Sequence, residues 1–577
     1  MAPTYNNEVA ELEKERKKQL VIDSVQEHCT IDSPFGDLRA IAKALQDPKV
    51  QLDATVISGG ATNYSYKVYA VVDGLPLLST PPLFAKLSFP FAMWNPDQSQ
   101  HYDVKRTENE FTAMQSFHQI VQDRNQRLGC TTTEVLSPVA IPYLCLTIQK
   151  EWRLLVTQWA DAADEQFATQ GMDGHLDGRV LKTLAEAFAA MNLTTVVDSE
   201  NIHPDADTSI DPHFNDNVRP CFRSLYPQLV EIFEDLLCQP PGLDDSFVSL
   251  ARQIGIEGFE DLLARLDQDY MKRETFVHAD THAFNILVEP RPTKSKETTT
   301  SRFGPNGTVI VCDWEMAMAG PVGQDPGKVM GWPLVCALSH AIQGHYQEAY
   351  GMLNSLEQFW EHYANVLVVE GGKDEEFVLR AYKSTLGWAG FFALIVIYLL
   401  NLHADLLPLD GIPESEVKLV MGKIGATGLR LMQYGFGEND ESIDLIELKG
   451  LFRSTVVREI ISLLDTAGDR VGSVSGAERL RASGRRISDA SVMEEAAMSA
   501  SRRRSSVLRS SAGRKPSVLR GLTSSITSSL HDSVSSGFSH RCSVSSVASA
   551  GERRRSLIYT SSLVGHGITE VVHEHNF

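Results

Sequence analysis

The sequence lacks the features that would mark it as a disulfide-stabilised or secreted protein. Its 577 residues contain eight cysteines and no Cys-x-x-Cys pair, which argues against a disulfide framework and against a zinc knuckle. The first twenty residues, MAPTYNNEVAELEKERKKQL, hold no apolar stretch of the kind that a secretory signal requires. We therefore expect reduced thiols and a cytoplasmic protein.

Positive charge is scarce and unevenly placed. The formal net charge of −21 argues against a chain that coats nucleic acid. Residues 471–577 carry 15 Lys and Arg against 8 Asp and Glu, so the preceding 470 residues carry −28. Hydrophobic residues at 43% and charged residues at 22% are ordinary for a globular protein, which excludes disorder of the whole chain.

Long apolar runs are nearly absent. The longest is LGWAGFFALIVIYLLNL at Leu386–Leu402, which falls just short of 18 apolar residues, contains two glycines and is followed by His403 and Asp405. We predict a helix buried in a helical domain and no stable membrane insertion. A single membrane span is the alternative.

Periodicity divides the chain into a β-rich part and a helical part. A period of two begins near Val56, and helical patterns dominate from about residue 175. Strands are predicted at 63–72, 83–88, 136–141, 154–158, 285–288 and 308–312, with a helix at 105–117. The pattern predicts an α+β protein with a helical leader at 1–34, a small antiparallel β-rich lobe at 35–160 and a large, mostly helical lobe at 161–465.

The C-terminal tail, residues 466–577, has a different composition. Of the 107 residues from 471 onward, 27 are serine, and no apolar periodicity covers them, which predicts disorder. Two basic residues, a spacer and a serine recur four times, at 485–488, 503–506, 514–517 and 553–556. The motifs favour phosphorylation by basophilic protein kinases over a merely solvated linker.

The strongest local signal for chemistry is FVHADTHAFNILV at 276–288. Asp280, in a His-x-Asp sequence that begins at His278, can accept the proton of an attacking hydroxyl. Asn285 can ligate a hard cation through its amide oxygen. Further on, an apolar run ends in Asp313-Trp-Glu315, and carboxylates at the end of a strand suit magnesium beside substrate phosphates.

Three features upstream complete an ordered set. Gly59 and Gly60 lie in a turn between two strands, where a backbone without side chains can approach phosphates. Lys86, on a following strand, could pair with phosphate oxygens, and Glu110, on the next helix, could hold that lysine. Each feature is weak alone, but the order from the glycine turn to Asp-x-Glu is difficult to obtain by chance.

The ordered set resembles the aminoglycoside phosphotransferase and choline kinase superfamily, which has a protein-kinase-like fold. Within it the sequence is most similar to methylthioribose kinase. The likeness rests on Gly59-Gly60 with Asn63, on Lys86 followed by FPFAMW, and on DWEMAMAGPVGQDPG at 313–327. It covers roughly residues 35–435. The family's usual His-Gly-Asp is His-Ala-Asp here, with Ala279 in place of glycine.

The resemblance implies a bilobal small-molecule kinase that uses ATP and Mg²⁺ to phosphorylate a hydroxyl of a small metabolite. Asp280 would be the catalytic base, in one loop with His278 and Asn285, and Asn285 would hold a second metal ion or steady the loop. The remaining implied contacts are Gly59, Gly60, Asn63, Lys86 and Glu110 at the phosphates, Gln158, Trp159 and Ala160 at the adenine, and Asp313 and Glu315 at magnesium.

The acceptor stays open between a thiosugar, an aminoalcohol and an aminoglycoside. Dimers occur in relatives, so a homodimer is a further expectation that the resemblance adds. A protein kinase is disfavoured because the metal motif is Asp-Trp-Glu, no Ala-Pro-Glu follows and the loop lacks His-Arg-Asp. Two other classes remain: a nucleotide-binding pseudokinase scaffold, and a metal-dependent hydrolase that uses His278, Asp280, His282 and Asp313.

Overall fold

A computed structural model gives the fold over most of the first 471 residues. It describes residues 3–57, 63–90, 103–129, 138–149, 151–160, 165–194, 223, 226–238, 246–288, 309–402, 407, 409, 411–437 and 443–471. The described residues up to Ala467 belong to one compact unit. The last helix reaches Val471, six residues into the predicted tail, and the remainder of the tail with its four basic motifs lies outside the described residues.

Helices and strands follow one another in an α+β order. The strands are β1 Val50–Ile57, β2 Asn63–Val72, β3 Leu75–Pro76, β4 Leu83–Ser88, β5 Pro142–Gln149, β6 Trp152–Gln158, β7 Glu165–Gln166, β8 Thr275–Val277, β9 Ile286–Val288, β10 Val309–Val311 and β11 Met318–Gly320. The helices are α1 Pro3–His28, α2 Gly36–Ala44, α3 Lys105–Arg127, α4 Phe167–Met172, α5 Gly178–Thr194, α6 Tyr226–Cys238, α7 Ser246–Tyr270, α8 Gln324–Ile342, α9 Tyr346–Val369, α10 Glu375–Leu402, α11 Glu414–Phe436 and α12 Leu445–Val471.

The N-terminal strands form an antiparallel sheet in the order β1-β2-β4-β6-β5, with β3 paired to β2. In β4 the alternate residues Leu83, Ala85 and Leu87 enter one hydrophobic core with apolar side chains of α1 and α2. Because successive side chains of a strand point to opposite faces, Lys86 points to the other face of the sheet. One face of β4 therefore packs in the hydrophobic core, and the other face carries the ammonium group of Lys86.

Strand predictions are accurate where the alternation is clear. Both β2 and β4 cover the predicted residues, and α3 begins at the predicted Lys105 but continues ten residues beyond the predicted end. The strand predicted at 136–141 is wrong, because residues 138–141 form no strand and β5 begins at Pro142. Pro138 has no N–H to donate to a ladder, and its carbonyl accepts from the N–H of Val311 instead.

The helical part is built around α8 and α10. All residues of α8 are buried, and α10 packs between α8 and α11. A Cβ added at Gly390 of α10 would lie 2.4 Å from the carbonyl oxygen of Gly428 of α11. The two backbones therefore touch, which confirms the predicted buried helix, since Leu386 to Ile397 is buried. Among the helices of the described residues, none is long and apolar enough to cross a membrane.

Short strands place the predicted site. β8 pairs with β11 and β9 pairs with β10, both antiparallel. The loop 278–285 runs from β8 to β9, and a 3₁₀ turn at Trp314–Met316 lies between β10 and β11. The two segments that carry the candidate chemistry are therefore brought side by side. The two-lobed arrangement itself stays a prediction.

Candidate active site

Lys86 lies at the centre of three carboxylates. Its Nζ is 2.5 Å from Asp313 Oδ1, 2.8 Å from Glu110 Oε2 and 3.1 Å from Glu315 Oε2. Lys86, Glu110 and Glu315 are buried, whereas Asp313 keeps 24% of its side chain exposed. Residues far apart in sequence, from β4, α3 and the turn after β10, thus converge on one ammonium group.

A second cation and an amide extend the cluster towards β2. Asn63, the first residue of β2, donates from Nδ2 to Glu315 Oε2 at 3.2 Å and accepts from Arg106 Nη2 at 3.0 Å. Arg106 Nε lies 3.7 Å from the same Glu315 oxygen. Glu315 is therefore fixed by Lys86, Asn63 and Arg106 together.

The three carboxylates differ in their ease of ionisation. Burial raises the pKa of Glu110 and of Asp313; Lys86 opposes this effect without outweighing it, and the neighbouring carboxylates add to it. Burial also acts on Glu315, but Lys86 and Arg106 outweigh it and lower its pKa to about 2. The cluster therefore has three carboxyl groups around Lys86, more than the single charge of the lysine can neutralise.

The donor set of this cluster suits a hard divalent cation. Within the described ranges, the group whose ligand atoms lie within 4.8 Å of one another is Glu110, Asp313 and Glu315. Carboxylate oxygens are the ligands that Mg²⁺ prefers, and one or two of them suffice when phosphates and waters complete the octahedron. The role of Asn285 as a metal ligand stays a prediction.

The loop after β8 is held in a strained conformation at Ala279. Its φ is +66°, a left-handed value that costs an L-residue energy. Asp325, at the start of α8, accepts from the N–H groups of His278 at 2.7 Å and Ala279 at 3.0 Å, and from Thr281 Oγ1 at 3.0 Å. Burial raises the pKa of Asp325 to about 6, partly offset by those same donors. The buried Asp325 thus sets the course of the loop.

His278 braces the loop with both of its ring nitrogens. Its Nε2 is 2.8 Å from the carbonyl oxygen of Cys312, and its Nδ1 accepts from the N–H of Asp280 at 3.1 Å. Burial lowers the pKa of His278 to about 4, which fits a neutral ring that donates from Nε2. Because both nitrogens are hydrogen-bonded to backbone groups, neither is directed at a substrate or a metal ion.

Asp280 is an ionised carboxylate in a buried position. Asn285 donates from Nδ2 to the backbone oxygen of Asp280 at 3.0 Å and to its Oδ2 at 3.2 Å. His282 Nε2 lies 3.5 Å from the same Oδ2, and Lys328 Nζ lies 3.8 Å from Oδ1. Burial raises the pKa of Asp280, but His282 and Lys328 outweigh it, and the pKa falls to about 2. A carboxylate of this kind can orient a hydroxyl and accept its proton.

Of the remaining predicted residues, the structure describes the three that were predicted at the adenine. Gln158, Trp159 and Ala160 end strand β6 and follow it, and all three are half-buried. Lys67 places its Nζ 4.4 Å from the centre of the Trp159 ring, which fixes that side chain by a cation–π contact. Gly59 and Gly60 lie at 58–62, outside the described residues, as does the loop with Trp94.

Sequence reasoning missed two cations, Arg106 and Lys328. Arg106 follows the start of α3, and its buried side chain has no signal beyond its distance of four residues from Glu110. Lys328 is the fifth residue of α8, and a charged residue directly before the apolar run at 329–338 was the signal that could have identified it. Asp325 was recognised as part of a motif but without a role.

Comparisons with known proteins do not assign a function to this chain, so the proposal below depends on the geometry of the site. No family model matches the chain, and no curated protein matches it. Solved structures with some likeness include the aminoglycoside phosphotransferase APH(4)-Ia, at 12% identity over 69% of this chain and 98% of that one, with a TM-score of 0.29. Others are a choline/ethanolamine kinase family protein from Mesorhizobium loti, at 12% identity over 70% and 92% with a TM-score of 0.30, and a glucosamine kinase, at 12% over 70% and 84% with a TM-score of 0.33. At these TM-scores the likeness establishes neither the fold nor an activity.

Proposed function

We propose that this protein is an ATP-dependent phosphotransferase that phosphorylates a hydroxyl group of a small metabolite. The observation that carries the proposal is the contact of Lys86 with Asp313, two residues 227 positions apart, beside a second loop with an ionised Asp280. A buried ammonium group could bind the oxygens of a triphosphate, and the carboxylates beside it could bind the metal ion that accompanies the triphosphate. An acidic group near the transferred phosphoryl then positions the acceptor.

The roles follow from the chemistry of each group. Lys86 would bind phosphate oxygens while Glu110 keeps its ammonium in place. Asp313 and Glu315 would hold Mg²⁺, which supplies positive charge to the triphosphate when it is bound. Asp280 would accept a hydrogen bond from the acceptor hydroxyl, and Asn285 would keep that carboxylate in position. Gln158, Trp159 and Ala160 would contact the adenine, and Gly59, Gly60 and Asn63 the phosphates.

Substitution of Asp280 by asparagine tests the chemical step. We expect Asp280→Asn to reduce kcat by about 10²- to 10⁴-fold, because the variant cannot accept the hydroxyl proton, while the affinity for ATP changes little. Turnover would be measured by coupled ADP release, and nucleotide affinity by calorimetry. Asp177→Asn, at a half-buried carboxylate paired with the exposed Arg179, is the matched control and should keep full activity.

Retention of turnover in Asp280→Asn would remove Asp280 from its role. A wild-type protein that binds ATP but transfers phosphate to no acceptor would instead support the pseudokinase scaffold. The hydrolase alternative lacks support in the geometry, because both ring nitrogens of His278 bond to backbone groups and the converging group among the described residues is Glu110, Asp313 and Glu315.

The acceptor is to be found by a panel of hydroxylated metabolites. ATP consumption by the full-length protein would be measured with methylthioribose, choline, ethanolamine, homoserine and aminoglycosides. The acidic surplus of the first 470 residues favours cationic acceptors such as amines. The methylthioribose-kinase likeness, a homodimer and phosphorylation of the tail remain predictions, which the panel, sedimentation and treatment with a basophilic kinase would test.

A further inference from the structure

Lys328 is a buried cation at the catalytic loop for which the roles above have no use. It is the fifth residue of α8, and only 5% of its side chain is exposed. Its Nζ donates to the carbonyl oxygen of Ala279 and lies 3.8 Å from Asp280 Oδ1. Burial of a lysine is costly unless its charge is paired and its donors are bonded. Its place beside Asp280 therefore calls for a role.

Both polar groups of the Ala279 backbone are held by side chains of α8. The N–H of Ala279 donates to Asp325, and its carbonyl accepts from Lys328, three residues further along the helix. We call Asp325 and Lys328 the α8 clasp. Ala279 is the residue with φ of +66°, and it directly precedes Asp280. The clasp thus fixes the peptide from which the Asp280 side chain projects.

We propose that Lys328 is a positioning residue for phosphoryl transfer, which holds the Ala279–Asp280 peptide and thereby the Asp280 carboxylate. The inference rests on the proposed function. An alanine in a left-handed conformation tends to relax to a more common one, and the hydrogen bond from Lys328 opposes that change. Positioning matters because a displacement of about 1 Å at a reacting group can reduce a rate by about 10²-fold.

Replacement of Lys328 by methionine in the full-length protein tests this role. Methionine keeps the length of the stem but lacks the ammonium group. We expect kcat to fall about 10- to 100-fold, while the KM for ATP stays within about threefold, since Lys86 and its carboxylates are untouched. Lys423→Met is the matched control: Lys423 keeps only 11% of its side chain exposed and pairs at 2.9 Å with Glu459, but this pair joins α11 to α12 and not to the catalytic loop. It should reduce thermal stability without a loss of kcat.

A second substitution distinguishes positioning from direct action on the substrate. Glycine adopts positive φ without strain, so Ala279→Gly should partly restore kcat in the Lys328→Met background, by about threefold or more. A double variant with no recovery would show that Lys328 acts on the substrate itself, and the positioning role would be overturned. A kcat for Lys328→Met no lower than that for Lys423→Met would overturn it as well.

The thermal midpoint separates a failure of this inference from a failure of the proposed function. If the wild-type protein transfers no phosphate, the proposed function fails, but the hold of Lys328 on the loop can still be measured. Lys328→Met should then lower the midpoint more in the chain with Ala279 than in the chain with Ala279→Gly. Equal losses in the two backgrounds would overturn the inference without any activity assay.

Discussion

Substitution of Ala279 by glycine should leave the stability of the protein almost unchanged, although a buried methyl group is removed. The side chain of Ala279 is 6% exposed, so the loss of its methyl group costs about 0.8 kcal/mol. Glycine also adds freedom to the unfolded chain, which costs about 0.4–1 kcal/mol. Against these losses stands relief of the left-handed conformation, worth about 1–2 kcal/mol. The net change in the free energy of unfolding is then about zero.

Ala283→Gly is the matched control for this prediction. Ala283 lies four residues further along the same loop, is fully buried and has no positive φ. The same two losses apply there without any relief, so we expect a destabilisation of about 1–2 kcal/mol. Urea unfolding followed by tryptophan fluorescence would report both variants, because Trp314, Trp332 and Trp388 are fully buried. Equal destabilisation of the two variants would refute the left-handed conformation at Ala279 as the source of strain.

Three further predictions concern packing, charge and pH. Gly390→Ala should destabilise the protein by about 1–3 kcal/mol, because the added Cβ would overlap the backbone of α11. Gly351→Ala, which has open space around the new Cβ, should stabilise the protein by about 0.5–1 kcal/mol. Thermal unfolding would measure both changes. Arg124→Met should lower the free energy of unfolding by about 1–3 kcal/mol, because it breaks the two hydrogen bonds of 2.7 and 2.9 Å that join α3 to Glu370 at the end of α9. Arg179→Met, at an exposed arginine paired with Asp177, should lower it by less than about 0.5 kcal/mol in the same measurement. Since burial lowers the pKa of His278 to about 4, the fold binds no proton there while the unfolded chain does, so stability should fall as pH drops below about 6.5; between pH 6.5 and 5 the wild type should lose about 2 kcal/mol more than His278→Gln in urea titrations, and parallel pH curves would contradict the assignment.

The sequence permitted prediction of elements whose pattern is local. Strand β4 was predicted to the residue, and its apolar side chains alternate as a strand with one buried face requires; the position of Lys86 on the opposite face from that core is a finding from the structure. The segment at 136–141 was predicted as a strand because it is apolar and β-branched. Pro138, inside that segment, decided otherwise, because a proline cannot donate to a ladder.

The contacts between distant segments were less accessible. The order of motifs indicated that Lys86 and Asp313 belong to one site, and the structure brings them to 2.5 Å. Nothing in the local pattern connects Arg106 with Glu315 or Lys328 with Ala279, since these pairs depend on how helices pack. The braced ring of His278 was also beyond prediction, because its role depends on a carbonyl 34 residues away.

The contact between Gly390 and Gly428 has a consequence for biosynthesis. The apolar helix α10 leaves the ribosome before α11, the partner that covers one of its sides, and the end of α11 follows its own end by 34 residues. At the usual speed of translation, about 5–20 residues per second, this interval lasts roughly 2 to 7 s. During that time the side of α10 that α11 later covers stays exposed on the nascent chain, where its apolar residues are open to association with other chains.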